Sequence, residues 1–314
     1  MDAQALSAIK RRAVEKAHDL GAVALRVARA DAEPMLETRM REAFARGDYA
    51  TWGYGDEYAK LAADPTAVMA NAQSVLTVAV SYDAQEPGVR PPLHGRIARY
   101  AWFDDYHERM RSILNAIAAT IDEAAGGKVT RVVCDTAPIS ERGFAALSGL
   151  GWIGKHTNLI SPEGGSYIYL GEIVVALELA ADPMIKKTCG SCARCIDACP
   201  TGALRGDATI DATRCIADLT QRKDDIPREM RALIGEWLWG CDLCQEICPP
   251  TLRARTIRGG GPRPAASAAF ADMLALLTMR WSAFRRTFGK SALGWRGAPV
   301  LRRNAAVVLG NLLD

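Results

Sequence analysis

Residues 189–200 read CGSCARCIDACP and residues 241–249 read CDLCQEICP. The first run sets Cys189, Cys192, Cys195 and Cys199 in the pattern C-x2-C-x2-C-x3-C, followed by Pro200. The second sets Cys241, Cys244 and Cys248 before Pro249, and Cys215 lies between the runs. This is the bacterial ferredoxin arrangement, in which the fourth cysteine of each run serves the other cluster. The spacing therefore predicts two [4Fe–4S] clusters. Cys189, Cys192, Cys195 and Cys248 are expected to hold one, and Cys199, Cys215, Cys241 and Cys244 the other. Cys215 stands in for the first cysteine of the second run, with a helical insertion before Cys241. Structural zinc draws on pairs of close cysteines with four ligands per ion. A disulfide framework suits a short exported chain with an even cysteine count. Nine cysteines in 314 residues, seven of them in these two runs, fit neither reading well. The chemistry implied is one-electron transfer, and a pair of clusters is a wire that must end on something else in the chain.

Outward from the cysteines, the first 180 residues alternate helical and strand patterns. VALRVA (23–28), SVLTVAVSY (74–82), KVTRVV (128–133) and SYIYLGEIVVALEL (166–179) read as strands. Residues 104–125 read as a helix, with Met110, Ile113, Leu114, Ile117 and Ile121 spaced by three and four. Alternation of this kind predicts a three-layer α/β domain. It carries neither G-x-G-x-x-G after a strand nor a Walker A run, so a flavin or nicotinamide Rossmann fold is not expected. GLGWIGK (149–155) is glycine-rich, which by itself is equally a tight turn. Residues 181–250 form the cluster module. GGGPRP (259–264) reads as a linker, followed by helical patterns in DMLALLTM, SAFRRTF and APVLRRNAAVVLGNLL. Three regions follow: 1–180, 181–250 and 251–314.

The net charge of +3 conceals an asymmetry. Residues 1–250 hold 28 Lys and Arg against 34 Asp and Glu. Residues 251–303 hold 11 basic residues and a single acid, Asp272. Ten of the eleven are arginines, whose planar forks suit phosphate, and Trp281, Phe284, Phe288 and Trp295 lie among them. A polyanion-binding surface is expected, against the plainer reading of a solvated helical face. No run of 18 apolar residues exists, and the charged, amphipathic N-terminus lacks the core of an export signal. A cytoplasmic setting and no membrane association are expected.

Taken in order, RYAWFDDYH (99–107), DTAPISER (135–142), GLGWIGKHTNLI (149–160), GSYIYLGEI (165–173), the two cysteine runs and RCIADLT (214–220) resemble the epoxyqueuosine reductase family over nearly the whole chain. The resemblance implies an α/β (α+β) cobalamin-binding core related to reductive dehalogenases. It also implies a ferredoxin-type module and a small C-terminal helical, HEAT-like domain. The implied activity is reduction of epoxyqueuosine to queuosine at the wobble position of tRNA with a GUN anticodon. The clusters feed cobalamin from a flavodoxin- or ferredoxin-type reductant, reduced cobalt attacks the epoxide carbon, and a protein acid protonates the departing oxygen. A monomer is expected.

Asp135, the aspartate of the DTAP motif, is the implied acid, with Glu141 as second candidate. Without the family context Asp135 would read as an Asx-turn or helix cap before Pro138. Lys155, His156, Asn158 and Gly171, together with Asp135, are the implied cobalamin contacts, and His156 alone would read as a structural histidine. Asp105-Tyr106-His107 begins like a cobalamin-ligating D-x-H loop, but Met110 stands where that loop needs glycine. His107 is therefore read as helix N-terminal structure and not as a cobalt ligand. Cys134 reads as a buried strand thiol. Arg222, Lys223, Arg280, Arg285, Arg286, Lys290, Arg296, Arg302 and Arg303 are the expected tRNA contacts. TWGYGDEYAKLAADP (51–65) lacks the arginine the family pattern places before Asp-Pro, and longer relatives continue past the equivalent of Asp314, so a smaller RNA surface is expected. Two competing readings are a dehalogenase-like small-molecule reductase and an electron carrier without corrinoid.

Overall fold

A computed structural model describes residues 1–259 and 261–313. Its contacts divide the chain into two units. The first comprises residues 1–46, 53–81 and 106–192, and the second 47–52, 82–105 and 193 onward. The division thus differs from three consecutive regions, because two earlier segments join the second unit and residue 250 marks no boundary.

In the first unit, α1 (Ala3–Asp19) starts at Asp2, whose carboxylate accepts the Ala5 N–H at 2.8 Å. It is followed by β1 (Ala24–Arg29), α2 (Pro34–Ala45) and β2 (Ser74–Ser81). Then come α3 (Tyr106–Ala125), β3 (Thr130–Val133), α4 (Glu141–Leu147), the short strands β4 (Trp152–Ile153) and β5 (Leu159–Ile160), and β6 (Ile168–Val175). The four long strands run in the order β1-β2-β6-β3. Every neighbouring pair is antiparallel, including Leu76 opposite Ile173 and Thr77 opposite Glu172. The expected three layers are present, but the sheet is α+β in type and contains no parallel pair. α1 and α3 cover one face with Ile9, Ala13, Ile113, Leu114 and Ile117 against Leu25, Leu76, Val78 and Ile173. α4 covers the other, where Phe144 and Ile139 meet Val75, Val133 and Val174. With both faces covered, β2 has no polar side, and its interior residues are buried without alternation.

The second unit is organised differently. Strands Trp237–Trp239, His94–Ile97 and Phe270–Asp272 form a three-stranded sheet. Its single core gathers Trp239 and Ile234 with Phe270, Phe284, Leu301 and Val308. The cluster segment and the C-terminal helices Met273–Thr278, Trp281–Phe288 and Ala298–Leu313 therefore share one hydrophobic interior. The physical reason lies in the helices after the cysteine runs, Arg194–Asp197 and Leu243–Glu246, at four residues each. Helices so short are not stable alone and need a neighbour's packing or a bound metal group. Asn304, 1% exposed, supplies part of that packing by donating to the carbonyls of Thr220 (2.7 Å) and Leu238 (2.8 Å). The expected linker is packed as well. Gln85 donates to the Pro262 carbonyl at 3.1 Å and Arg263 to the Gln85 side chain at 3.1 Å, while residue 260 lies outside the described residues.

Gly171 of β6 marks the closest approach of α3 to the sheet. A β-carbon there would lie 2.8 Å from Leu114 Cδ1 and 3.0 Å from Met110 Cγ. Gly171→Val is expected to overpack this contact and lower stability by about 1–3 kcal/mol. Urea denaturation checks it, and an unchanged midpoint would mean that α3 moves aside freely.

Candidate active site

Two short loops of the first unit carry strained backbone. Asp135, just after β3, has φ of 59°, and Thr157, in the turn between β4 and β5, has φ of 66°. Left-handed geometry is uncommon outside glycine and especially unfavourable for a β-branched residue. Both loops are fastened to the first turn of α4. Glu141 Oε1 accepts the Asp135 N–H at 2.8 Å, and Arg142 Nη1 donates to the Thr157 carbonyl at 2.7 Å. Two adjacent side chains thereby hold the two segments that the sequence singles out.

The Asp135 carboxylate is 60% exposed and lies 3.2 Å from His107 Nε2. His107 occupies the first turn of α3, as its reading as helix N-terminal structure requires. Beside it the Tyr106 ring stacks on Tyr169 at 4.2 Å with 7° between planes. Burial raises the Tyr106 hydroxyl far above its ordinary pKa, and Asp135 adds to the rise. Burial also pushes the Glu141 carboxyl up to about 7, although the Asp135 N–H pulls against the rise. Glu141 is thus an elevated carboxyl immediately behind the Asp135 loop. Cys134 is 2% exposed, and burial pushes its thiol up to about 12, which makes it an inert strand thiol. Tyr106, Tyr169, Arg142 and Glu172 were given no role in the sequence reading, although all four lie inside quoted motifs; for Glu172, an acid within the apolar run of β6 was the available signal.

The expected cofactor contacts separate into kinds. His156 is 2% exposed, and its Nδ1 accepts the Asn158 N–H at 3.2 Å. Its proton therefore sits on Nε2, a buried donor with no hydrogen-bond partner. Burial pulls its pKa down to about 4, so the ring is neutral. An unsatisfied neutral donor on a strained turn fits a bound group that supplies an acceptor, such as the amide carbonyls that fringe a corrin. Lys155 and Asn158 share that turn and are half-buried. Gly171 instead serves the packing of α3 against the sheet.

In the second unit Cys244 lies within electrostatic range of Cys215, Cys195 and Cys199, and Cys241 within range of Cys244 and Cys215. Burial raises the thiols of Cys215, Cys241 and Cys244, so all three keep their protons unless a cationic group takes the sulfurs. Cys199 is lowered. Burial opposes this, but the Thr201 hydroxyl and the N–H groups of Ala203, Thr201 and Leu204 point at its sulfur. Such donors are what a cluster-bound thiolate requires. Cys199, Cys215, Cys241 and Cys244 are thus neighbours, but Cys195 of the other set is equally in range of Cys244, so the grouping of these four also rests on the spacing. For the other set, the contact division assigns Cys189 and Cys192 to the first unit and Cys195 and Cys248 to the second, so that set rests on its spacing.

The basic residues also divide. Lys223, Arg280, Arg285, Arg286 and Lys290 are exposed. Arg296 lies over the rings of Trp295 (3.7 Å) and Trp52 (4.9 Å). Three expected RNA contacts are engaged internally. Arg222 is 8% exposed and paired with Asp218. Arg303 donates to the carbonyls of Leu219 (3.0 Å), Arg222 (2.8 Å) and Asp224, and Arg302 to that of Met279. Their forks satisfy helix-end and loop carbonyls, a use that sequence does not distinguish from phosphate binding.

Comparison with known proteins accounts for this arrangement. A family model for epoxyqueuosine reductase QueG, DUF1730, matches residues 63–136, and one for a 4Fe-4S double cluster binding domain matches residues 188–251. The epoxyqueuosine reductase of Xanthomonas campestris pv. campestris is 38% identical over 281 residues, covering 88% of this chain and 79% of that one. The chain belongs to the epoxyqueuosine reductase family. A crystal structure of epoxyqueuosine reductase with a tRNA-Tyr epoxyqueuosine-modified stem loop superposes with a TM-score of 0.90 at 29% identity. It covers 98% of this chain and 83% of that one. A structure of the Bacillus subtilis epoxyqueuosine reductase, whose catalytic aspartate loop is swung out of the active site, gives 0.87 at 28% identity, covering 98% and 83%. The chain is accordingly an iron–sulfur oxidoreductase of this family, with the family's fold. Among the described residues no helix is long and apolar enough to cross a membrane.

Cys244→Ser is expected to remove the iron of one cluster and to end multiple turnover. Iron and sulfide analysis beside a turnover assay checks it. Full activity with one cluster missing would overturn the electron route, and circular dichroism separates that result from misfolding.

Proposed function

We propose that this chain reduces the epoxide of epoxyqueuosine to the alkene of queuosine in the anticodon loop of tRNA. In this reading the first unit binds cobalamin, and a flavodoxin- or ferredoxin-type donor supplies electrons through the two clusters. The observation that carries the reading is the Asp135 turn, with its carboxylate presented to solvent, paired with His107 and fixed by Glu141. Support comes from the Bacillus subtilis relative, whose structure is described as having a catalytic aspartate loop, and from the relative solved with a modified stem loop. When bound, cobalamin would supply a low-potential nucleophilic metal centre for opening the epoxide. The chain's own residues do the rest. His156 Nε2, Lys155 and Asn158 would orient the corrin from the β4–β5 turn. Asp135 would hold a proton for the departing epoxide oxygen, and His107 would steer its carboxyl. Neither a dehalogenase-like activity nor a simple electron carrier accounts for both the Asp135 turn and the basic helices.

Asp135→Asn keeps the side-chain shape but cannot deliver a proton. General acid catalysis typically contributes about 10²–10⁴-fold, so a rate loss in that range is expected, with iron and corrinoid contents unchanged. Turnover of epoxyqueuosine-containing stem loop by purified, cobalamin-loaded protein is the assay. A variant within a few-fold of wild type would reduce Asp135 to a turn residue and shift the role to Glu141.

The exposed arginines of helix Trp281–Phe288 are proposed to contact RNA phosphates. Contacts of this kind act through counterion release, with a salt slope of about −0.7 to −0.9 per neutralised phosphate. Arg285→Ala with Arg286→Ala is expected to weaken stem-loop binding and flatten its salt dependence, leaving the cluster and corrinoid spectra alone. Titration at several salt concentrations decides. Unchanged affinity and slope would identify an ordinary solvated face and move attention to Lys223.

A further inference from the structure

Glu172 stands in the middle of β6, with Thr77 of β2 opposite on one side and Val133 of β3 on the other. It points to the face covered by α4, between Leu170 and Val174. It is fully buried, and neither carboxylate oxygen has a hydrogen-bond partner. The Thr77 hydroxyl beside it is likewise unpartnered. Among the described residues no cation pairs with it. β2 presents Thr77, β3 presents Val133 with Cys134 beyond, and α4 presents Glu141, while Arg142 is turned to the Thr157 carbonyl. An ionised carboxylate in such a place is costly, so at rest the side chain carries a proton and can lose it only transiently. Burial raises its pKa well above the ordinary value, and the charge of Glu141 adds to the rise. Glu141 in turn touches the Asp135 backbone. A neutral acid, a second elevated carboxyl and the exposed Asp135 thus lie in sequence from the interior of the sheet to the surface.

We propose that Glu172, together with Glu141, is the proton reserve from which Asp135 is refilled during turnover. The inference rests on the reading of Asp135 as the acid. Converting an epoxide to an alkene and water consumes two electrons and two protons. The electrons come from the external donor through the clusters. One proton goes to the oxygen freed when its first carbon–oxygen bond breaks. The second goes to the same oxygen as its remaining bond breaks and water leaves. Asp135 holds one proton at a time, so a second must reach it. Glu172 gives its proton to ionised Glu141 through a water lodged beside Thr77, and Glu141 passes it to Asp135. Solvent returns both protons once product has left. Glu172 touches neither substrate nor cofactor in this scheme.

The test uses Glu172→Gln, a neutral mimic of the acid that preserves its shape. In cofactor-free protein at a pH well above 7, where Glu141 is ionised, infrared spectroscopy should show the carbonyl band of a protonated, weakly bonded carboxylic acid. That band should vanish in E172Q and persist in D135N. The stability of the same protein gives a second readout. A raised carboxyl binds its proton more tightly in the folded state than in the unfolded state. Its contribution is therefore whole below the ordinary carboxyl range and is lost as pH rises toward the folded value. Wild type should lose melting temperature as pH rises from the ordinary carboxyl range through neutrality, and E172Q should lose less. In the loaded enzyme, E172Q should lower kcat by roughly tenfold or more, with KM unchanged and the deficit shrinking toward acid pH. A kcat–pH profile that superposes on wild type overturns the proposal, as does survival of the infrared band in E172Q. If D135N loses its rate while E172Q keeps the wild-type profile, the acid assignment stands and only the reserve falls. If D135N turns over normally, the underlying reading has failed first.

Discussion

Glu141 and Arg142 leave the head of α4 in opposite directions, one to the Asp135 amide and the other to the Thr157 carbonyl. Each bond holds a residue in left-handed backbone geometry that it would leave if released. The helix can bear this because Phe144, on its underside, is fully buried against the sheet. The geometry of the proposed site thus descends from hydrophobic packing through one rigid turn. The sheet fixes the helix, the helix fixes two loops, and the loops present Asp135, Lys155, His156 and Asn158.

The parts of the fold that were legible in sequence are those written in short spacings. The two cysteine runs, the three-and-four pattern of α3 and the apolar runs of β2 and β6 all appear where local pattern places them. What was not legible depends on partners far away in sequence. Alternating helices and strands suggest parallel pairing, yet all four long strands pair antiparallel. Residues 82–105 looked like part of the first domain but contribute a strand, His94–Ile97, to the second unit. No local signal separates these outcomes, because strand direction and membership are decided by which apolar faces meet.

The site shows the same division. Asp135 and the turn at Lys155–Asn158 stood out because they lie in motifs of the resemblance; by local chemistry alone they read as an ordinary cap and turn. Glu172 did not, although it lies in the GSYIYLGEI motif, since a single acid in a strand ordinarily faces water. Only the second covered face of the sheet reveals it as buried. Arginines raise the converse difficulty. Arg285 and Arg303 are identical in composition terms, but the first is exposed and the second spends its donors on backbone carbonyls of the loop after Leu219. Charge counting records both as available to phosphate, and geometry removes one.

Asn304 joins the last helix to the Thr220 and Leu238 carbonyls, and the Thr220 hydroxyl in turn accepts the N–H of Gly240, the residue before Cys241. The basic C-terminal helices are therefore stitched to the chain that carries the cluster cysteines, within two hydrogen bonds of one of them. Such an arrangement resists modular evolution. An appendage on a tether can be lost, swapped or duplicated without harm to the redox centre, whereas these helices share hydrogen bonds with the cluster segment. Change on their outer faces must come by surface substitution while the inner faces stay fixed.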